Sequence, residues 1–475
     1  WGAGRRRRID NVYYDTPDRR LAAARAALRL RRIGQGARAR WVQTLKTEDL
    51  DAALSVRGEW ETALPSGRID LALLAHAPLA RLLGQDPAMA PLGPVFRTVF
   101  ERTTWEVDAH GALIEVAIDR GRIEAGAAAE PISELELELR EGPPAALLSL
   151  ALELSGAGDR RRPRLNLLPY GDSKAARGYR LAQGVAPGAR VPPPAPAQGV
   201  FGPRLGSALA ARRWVATQMP ALLANVQAIG EGADPEFVHL ARVALRRMRS
   251  GLDVLAPPDL PPVLAGGLKR WTERLGAVRD WDVLCAQQLP ALAPHVARAY
   301  PAAWARVLAT AARRQAAARA RLRRQIEQPD FAAFALRLLQ WSIGVPAQAG
   351  KRLEEAAPRR LRARQQRLAH AARAIERLSE QRQHKLRIES KRLRYAIEML
   401  ESVLPRRPWR AQLRALARFQ RATGNARDSA QAHEVVARLT RSGALLESCR
   451  SWARERAERQ IAKAQRSARL LAPPG

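Results

Sequence analysis

The sequence predicts an α+β chain with several domains: an N-terminal antiparallel β-barrel, then an all-α region made of two pseudo-symmetric helical bundles. Three observations predict it. Short segments of period-two alternation recur from Ala27 to Arg140, a proline-rich stretch interrupts the chain, and beyond it long Ala/Leu/Arg segments repeat every 3.6 residues.

The strands follow in order. "ALRLRR" (Ala27 to Arg32), "RWVQTLK" (Arg40 to Lys46), "RGEWETAL" (Arg57 to Leu64), "FERTTWEVD" (Phe100 to Asp108), "LIEVAID" (Leu113 to Asp119) and "ISELELELR" (Ile132 to Arg140) each alternate as strands do. Within "VDAHGALIEV" a hairpin is expected to turn at His110-Gly111. The run "GVAPGARVPPPAPAQGVFGPR" is a semi-extended linker. Domains are therefore expected over residues 1–184 and 205–475, joined by the linker 185–204.

Charge separates the two halves. Only seven of the 80 Lys+Arg residues are lysine, a bias that GC-rich codons produce without any function, so arginine excess by itself says little. Its distribution says more. Residues 1–190 hold 29 basic and 24 acidic side chains, a net of +5, which leaves +29 of the total +34 to the remainder. A polyanion is the partner such a field favours. The two cysteines form no disulfide framework and fit a reducing, cytoplasmic setting. No apolar run reaches the ~18 residues of a membrane span, so no membrane partner is expected.

In "SELELELR", Glu134, Glu136 and Glu138 share one strand face and Leu135, Leu137 and Leu139 the other. Arg29 and Arg31 share a face on their strand, as do Glu59 with Glu61 and Glu115 with Asp119. A row of glutamates facing water is an ordinary solvated strand. Arginines and carboxylates gathered inside one barrel are costly as a core, since buried charges need partners. They suit a site: carboxylates hold hard divalent cations and guanidinium or ammonium groups grip phosphate oxygens. Those are the parts of metal-assisted phosphoryl transfer.

The segments "NVYYDTPDRRLAAARAALRLRR", "WVQTLK", "RGEWE", "ISELELEL" and "DSKAARGYRLAQG" resemble, in order, the CYTH family of triphosphate tunnel metalloenzymes. That resemblance implies an eight-stranded antiparallel tunnel for a linear triphosphate with Mg²⁺ or Mn²⁺. It implies Arg29, Arg31, Lys46, Arg102, Lys174 and Arg177 as phosphate-binding cations. Metal ligands would come from Glu136, Glu138, Glu134, Glu61, Glu115 and Asp119, with Glu136 and Glu138 first, and Lys46, Arg102 and Glu61 would be catalytic. The family's first strand reads Glu-x-Glu-x-Lys, and nothing before Ile9 supplies it. Since the chain opens on Trp1 rather than Met, that strand is expected upstream; a chain truly beginning here is expected to hydrolyse poorly.

Beyond the linker, "HLARVALRRMR" (His239 to Arg249) and "HKLRIESKRLR" (His384 to Arg394) repeat one spacing. At ~100° per residue, His239, Arg242, Arg246 and Arg249 fall within an arc of roughly 80°, opposite Leu240, Ala241, Ala244, Leu245, Met248 and Leu252. The second copy sets His384, Arg387, Lys391 and Arg394 against Leu386, Leu393, Ile397 and Leu400. Each is followed by Gly-x-x-Arg-Asp: Gly276, Arg279 and Asp280, then Gly424, Arg427 and Asp428. One arginine stripe is an ordinary solvated face; a duplicated stripe headed each time by histidine suggests a long positive channel for a long anion. Nucleic acid is disfavoured, because no base-reading motif accompanies the charge.

These elements resemble the CHAD family over about residues 205–465, an all-α polyphosphate-binding module. The resemblance implies His239, Arg242, Arg246, Arg249, Arg279, His384, Arg387, Lys391, Arg392, Arg394 and Tyr395 as polyphosphate contacts. The expected protein hydrolyses tripolyphosphate to pyrophosphate and phosphate in its tunnel and holds polyphosphate with its helices; association with polyphosphate granules is a further expectation. The alternatives are a non-catalytic polyphosphate-binding protein and a triphosphatase for an organic substrate such as thiamine triphosphate.

Overall fold

The computed structural model describes residues 2–34, 36, 39–48, 57–74, 77–83, 91–156, 164–185, 201–232, 234–346 and 350–471. The chain divides into two compact units, Trp1–Val191 and Pro192–Gly475. Most of the predicted linker, residues 186–200, lies outside the described residues.

The first unit runs β1 (Arg5–Asp15), α1 (Arg20–Ala23), β2 (Ala26–Ile33), β3 (Arg40–Glu48), β4 (Arg57–Leu64), α2 (Leu79–Leu83), β5 (Gly93–Ala109), β6 (Ala112–Ala125), β7 (Ala128–Glu141), α3 (Ala145–Leu154) and α4 (Lys174–Ala182). Its strands form one sheet in the order β4-β3-β2-β1-β5-β6-β7, antiparallel throughout. Among the described residues the ladders join seven strands, with β4 and β7 at the ends. The hairpin turns at His110 and Gly111, whose φ angles of 55° and 70° are the left-handed pair that a two-residue loop uses.

Strand β1 was not among the predicted strands. Its opening "RRRR" shows no alternation, and it is a strand because it pairs with β5 on one side, while β2 joins the other side only from Ile9 onward. Its second half does alternate, with Ile9, Asn11, Tyr13 and Asp15 buried. One face of the sheet packs apolar side chains: Leu28 and Leu45, both fully buried, sit with Leu21 of α1 and Leu82 and Leu83 of α2, while Ile114 and Val116 pack on Ala146 and Leu150 of α3. Burying a leucine in this way stabilises by about 1.5–3 kcal/mol. The other face carries the charges of the candidate site, beside an apolar cluster of Ile9, Tyr13, Phe96, Phe100 and Ile123 with Tyr179 and Leu181 of α4.

The second unit is helical: α5 (Ser207–Glu231), α6 (Pro235–Leu255), α7 (Pro262–Val283), α8 (Leu289–Val296), α9 (Pro301–Glu327), α10 (Pro329–Ile343), α11 (Leu353–Ala372), α12 (Glu380–Met399), α13 (Arg406–Ala437) and α14 (Gly443–Ala468). The two predicted cationic helices are α6 and α12. Asp234 caps α6 ahead of Pro235 at its first turn, and Ser379 caps α12, both placing a side-chain oxygen on an otherwise unpaired N–H. Ala241, Ala244, Leu245, Met248 and Leu252 of α6 are buried, as are Leu386, Leu393 and Ile397 of α12 and Leu400 at its end. With those faces turned inward, α6 packs on α7, α12 on α13, and α6 on α12. No helix among the described residues is long and apolar enough to cross a membrane.

Candidate functional site

Two charged constellations stand out, one in each unit. In the first, the register alone sorts the side chains. Directly opposed residues share a sheet face, and the ladders align Lys46 with Glu59, Thr44 with both Glu61 and Arg29, Arg29 with Tyr13 and Arg31 with Asn11. Across β1 the same face continues through Arg102 opposite Asp119, Asp119 opposite Glu134, and Glu115 opposite Glu138.

At the β5–β7 end a dense ionic cluster forms. Arg102 donates to both oxygens of Asp119 at 2.7 Å and to Glu136 at 2.5 Å. Lys174 at the start of α4 lies 2.6 Å from Glu134, 2.6 Å from Glu136 and 2.8 Å from Asp119. Arg177, one turn along α4, binds Glu134 and Glu130 and donates to the Pro131 carbonyl. Ser173 caps α4, accepting from the Ala176 N–H at 3.1 Å, and so fixes where both cations emerge. Burial opposes a charge on Lys174 and Arg102, yet the surrounding carboxylates raise both above their ordinary values. Burial would raise the Glu136 carboxyl, but Lys174 and then Arg102 hold it down at about 2.

Asp119, Glu134 and Glu136 bring one carboxylate oxygen each within 4.8 Å of one another. Three hard oxygen donors fit Mg²⁺ or Mn²⁺, and the Lys174 ammonium, in contact with all three, already marks the spot where positive charge is wanted. Glu138 is elsewhere: with Glu115 it pairs with Arg140, each at 2.8 Å. The choice of Glu136 with Glu138 as the leading ligand pair is thus not the grouping formed; Arg140, two residues on and on the same face, draws Glu138 away from the trio. Glu61 lies on β4, where it accepts from Thr44 at 3.1 Å.

The β2–β4 end is richer in cations than in partners. Lys46 meets Glu59 at 2.8 Å, and Arg29 lies 3.7 Å from Glu59 and 4.0 Å from Glu61. Asn11, buried, donates to Thr98 at 2.7 Å and accepts from Arg31 at 2.9 Å. Burial and then Arg29 push Arg31 down to about 10 and also lower Lys46. One end of the face therefore holds carboxylates matched by cations, and the other holds cations short of anions.

In the second unit the two predicted rows meet. Equivalent positions act on each other across the α6–α12 contact, Arg242 with Arg387 and Arg246 with Lys391, whereas Arg249 meets Arg392 rather than its counterpart Arg394. Tyr395 lies under both Arg246 and Arg247, 5.6 Å and 5.8 Å from their guanidinium carbons. Glu398 takes Arg394 at 2.7 Å and Arg247 at 3.2 Å, and Arg392 pairs with Glu389 at 2.7 Å.

The repeated Gly-x-x-Arg-Asp acquires a physical reason. A Cβ on Gly276 would stand 3.3 Å from the Arg242 guanidinium, and one on Gly424 would stand 3.2 Å from that of Arg387. Each glycine opens its helix so that the arginine three residues after the histidine can lie against it. Further along, Arg279 acts on His239 and Arg427 on His384. Asp280 feels Arg242, Arg427, Arg387 and His384, so it belongs to both repeats.

The electrostatics are opposite in sign to those at Lys174. Burial followed by neighbouring cations lowers Arg242 to about 10 and Lys391 to about 6, and lowers Arg387, His239 and His384 as well. The buried Nε of Arg242, Nε of Arg387 and Nδ1 of His384 have no hydrogen-bond partner among the described residues. Leaving a buried donor unmet costs about 1–3 kcal/mol.

Three participants were absent from the predicted set. Glu130, which holds Arg177, stands in period two with Glu134 and was legible in principle. Asn11, which orients Arg31, lies in the unpredicted strand. Arg427 was visible as part of the repeat but had no assigned role.

The CYTH domain model matches residues 2–166 and the CHAD domain model residues 213–437. An inorganic triphosphatase of Haemophilus influenzae is 38% identical over 137 residues, which is 28% of this chain and 36% of that protein. The chain thus spans about a third of the length of that relative. Among solved structures, the CHAD domain from the plant Ricinus communis is 23% identical, with a TM-score of 0.49, over 58% of this chain and 96% of its own. PptA from Streptomyces chartreusis is 18% identical, with a TM-score of 0.44, over 55% and 99%.

Proposed function

Since the chain carries a CYTH domain at residues 2–166 and a CHAD domain at 213–437, we propose that it is a cytoplasmic, metal-dependent inorganic triphosphatase whose helical unit binds polyphosphate. The observation that carries the first part is the single sheet face on which Arg29, Arg31 and Lys46 lie at one end and Asp119, Glu134 and Glu136 at the other. A linear triphosphate is long and anionic, and such a face offers it cations at one end and a divalent-cation cradle at the other. The resemblance of one segment to an inorganic triphosphatase supports the same substrate.

In this reading Arg29, Arg31 and Lys46 bind and orient phosphate oxygens, aided by Asn11, which holds the Arg31 side chain in place. Asp119, Glu134 and Glu136 would hold Mg²⁺ or Mn²⁺, which when bound neutralises phosphate charge and lowers the pKa of coordinated water. Arg102 and Arg177 hold those carboxylates in place. Lys174, lying against all three, exchanges carboxylate contacts for a phosphate oxygen when the substrate arrives.

The second part rests on the double row in the helical unit and its unmet donors. Both parts are tested with the chain together with whatever precedes Trp1 in its natural reading frame. Expected are Mg²⁺-dependent phosphate release from tripolyphosphate, faster than from thiamine triphosphate or ATP, and retention of long-chain polyphosphate. Retention without hydrolysis of any triphosphate would leave a polyphosphate-binding protein and reject the enzyme. Faster turnover of thiamine triphosphate would move the substrate to the organic class.

A further inference from the structure

The two halves of the helical unit differ at one place where their repeat predicts sameness. In the first half Asp282 follows the glycine of Gly-x-x-Arg-Asp by six residues and is buried. It accepts from Gln315 at 2.8 Å and from Arg319 at 2.7 Å, both on α9. Helix α14 is the counterpart of α9, since positions 7, 11, 22 and 26 are buried in both. In the second half the equivalent residues are Ala430, Ala457 and Ile461, and Ala426 stands where the first half buries Val278. Smaller, uncharged side chains leave that space unfilled. A cleft of about 360 Å³, counting its open mouth, lies there between α12, α13 and α14.

The polar side of this cleft belongs to the groove. His384, the head of the second cationic row, lines it, and its buried Nδ1 has no hydrogen-bond partner among the described residues. Arg427 lines it too, 3.6 Å from Glu434 and 3.9 Å from Glu380, each longer than a hydrogen bond. Arg387, next in the row, lies against Gly424, whose neighbour Thr423 is part of the lining. Ala430, Ala457 and Ile461 complete the lining and offer a phosphate no donor.

We propose that this cleft holds the terminal phosphate of a polyphosphate chain whose internal phosphates lie along the rows. The inference rests on the polyphosphate reading of the groove and adds the part of the ligand that one end of it recognises. An internal phosphate is bridged on both sides; a terminal phosphate is bridged once and has one more free oxygen. Only the terminal group suits a cleft lined elsewhere by apolar side chains, because the chain need not continue past it. Arg427 turns from Glu380 and Glu434 to donate to the free oxygens, a charge-assisted bond, and His384 Nδ1 gains a partner. In the first half Asp282, Gln315 and Arg319 take up the equivalent space, so the chain is held by a single end.

The test is calorimetric titration of the full chain with polyphosphate of one defined medium length, either with free ends or with both ends blocked as N-methyl phosphoramidates. Wild-type protein should bind the free-ended chain about tenfold more tightly than the blocked one. The same ratio is then read in two proteins with a filled cleft. One is Ala457→Leu; the other joins Ala430→Asp, Ala457→Gln and Ile461→Arg and so copies the first half. Both should lose most of the preference, and a general loss of affinity cancels in the ratio. Equal binding of the two chains by wild type overturns the inference without any variant, as does an undiminished preference in either filled protein. If neither chain binds, or if both bind the Arg242→Gln, Arg387→Gln protein as tightly as wild type, the polyphosphate reading of the groove fails and the inference with it.

Discussion

The sheet face and the helical groove both concentrate cations, but they treat them in opposite ways. Around Lys174, Arg102 and Arg177 every positive charge is met by a carboxylate, and Lys174 and Arg102 are raised in pKa. Around Lys391, Arg242 and Arg387 positive charge faces positive charge, and all three are lowered. In the proposed reading, the first arrangement is stable empty and must exchange partners to bind, while the second is strained empty and relaxes on binding. A site that turns substrate over benefits from the former, because product must leave. A site that stores or retains a polyanion benefits from the latter.

Removing one lysine from each place should separate the two most sharply. Lys174→Ala leaves Asp119, fully buried, beside Glu134 and Glu136 with one cation fewer. Unfolding free energy should fall by about 3–5 kcal/mol and triphosphate hydrolysis by at least about 100-fold, read by denaturant titration and phosphate release. Lys391→Met removes an amine that burial and then Arg387 hold at about 6, so the melting midpoint should hold or rise; a lower midpoint breaks the comparison. Next, Arg242→Gln with Arg387→Gln should weaken polyphosphate binding by about 100-fold, since a hydrogen bond to a charged group contributes about 1.5–3 kcal/mol. Tripolyphosphate turnover should stay at the wild-type rate.

A smaller effect is expected in acid. The folded Glu136 carboxyl is held at about 2, below the ~4.3 of an unfolded chain. Its contribution to stability is present above the unfolded value and is lost as pH falls from there towards the folded one. Glu136→Gln should flatten that part of the stability–pH curve, and an unchanged curve would mean that Lys174 and Arg102 do not hold the carboxylate. The smallest effect is a few-fold loss of polyphosphate affinity in Gly424→Ala. The new methyl meets the movable end of Arg387, so the fold survives while the guanidinium shifts.

Much of this was readable before any coordinates. Alternation in "ALRLRR" and "SELELELR" assigned Arg29, Arg31, Glu134 and Glu136 to common faces, because a strand's side chains have no other way to point. The duplicated spacing marked both cationic helices and their glycines. Strand β1 was missed, since four consecutive arginines carry no periodic signal and only their pairing with β5 makes them a strand. The pairing of Glu138 with Arg140 was not legible, because period two says which face a residue takes, not which partner along that face claims it.

By itself the sequence determined the elements, their faces and the repeat, all local consequences of backbone period and side-chain type. Tertiary structure decided the partnerships: α4 delivers Lys174 into the acidic trio, Arg140 takes Glu138 out of it, and α6 set beside α12 turns two ordinary arginine stripes into one field. Coulomb energy depends on distance through space and on how much water is excluded, and neither quantity is written along the chain.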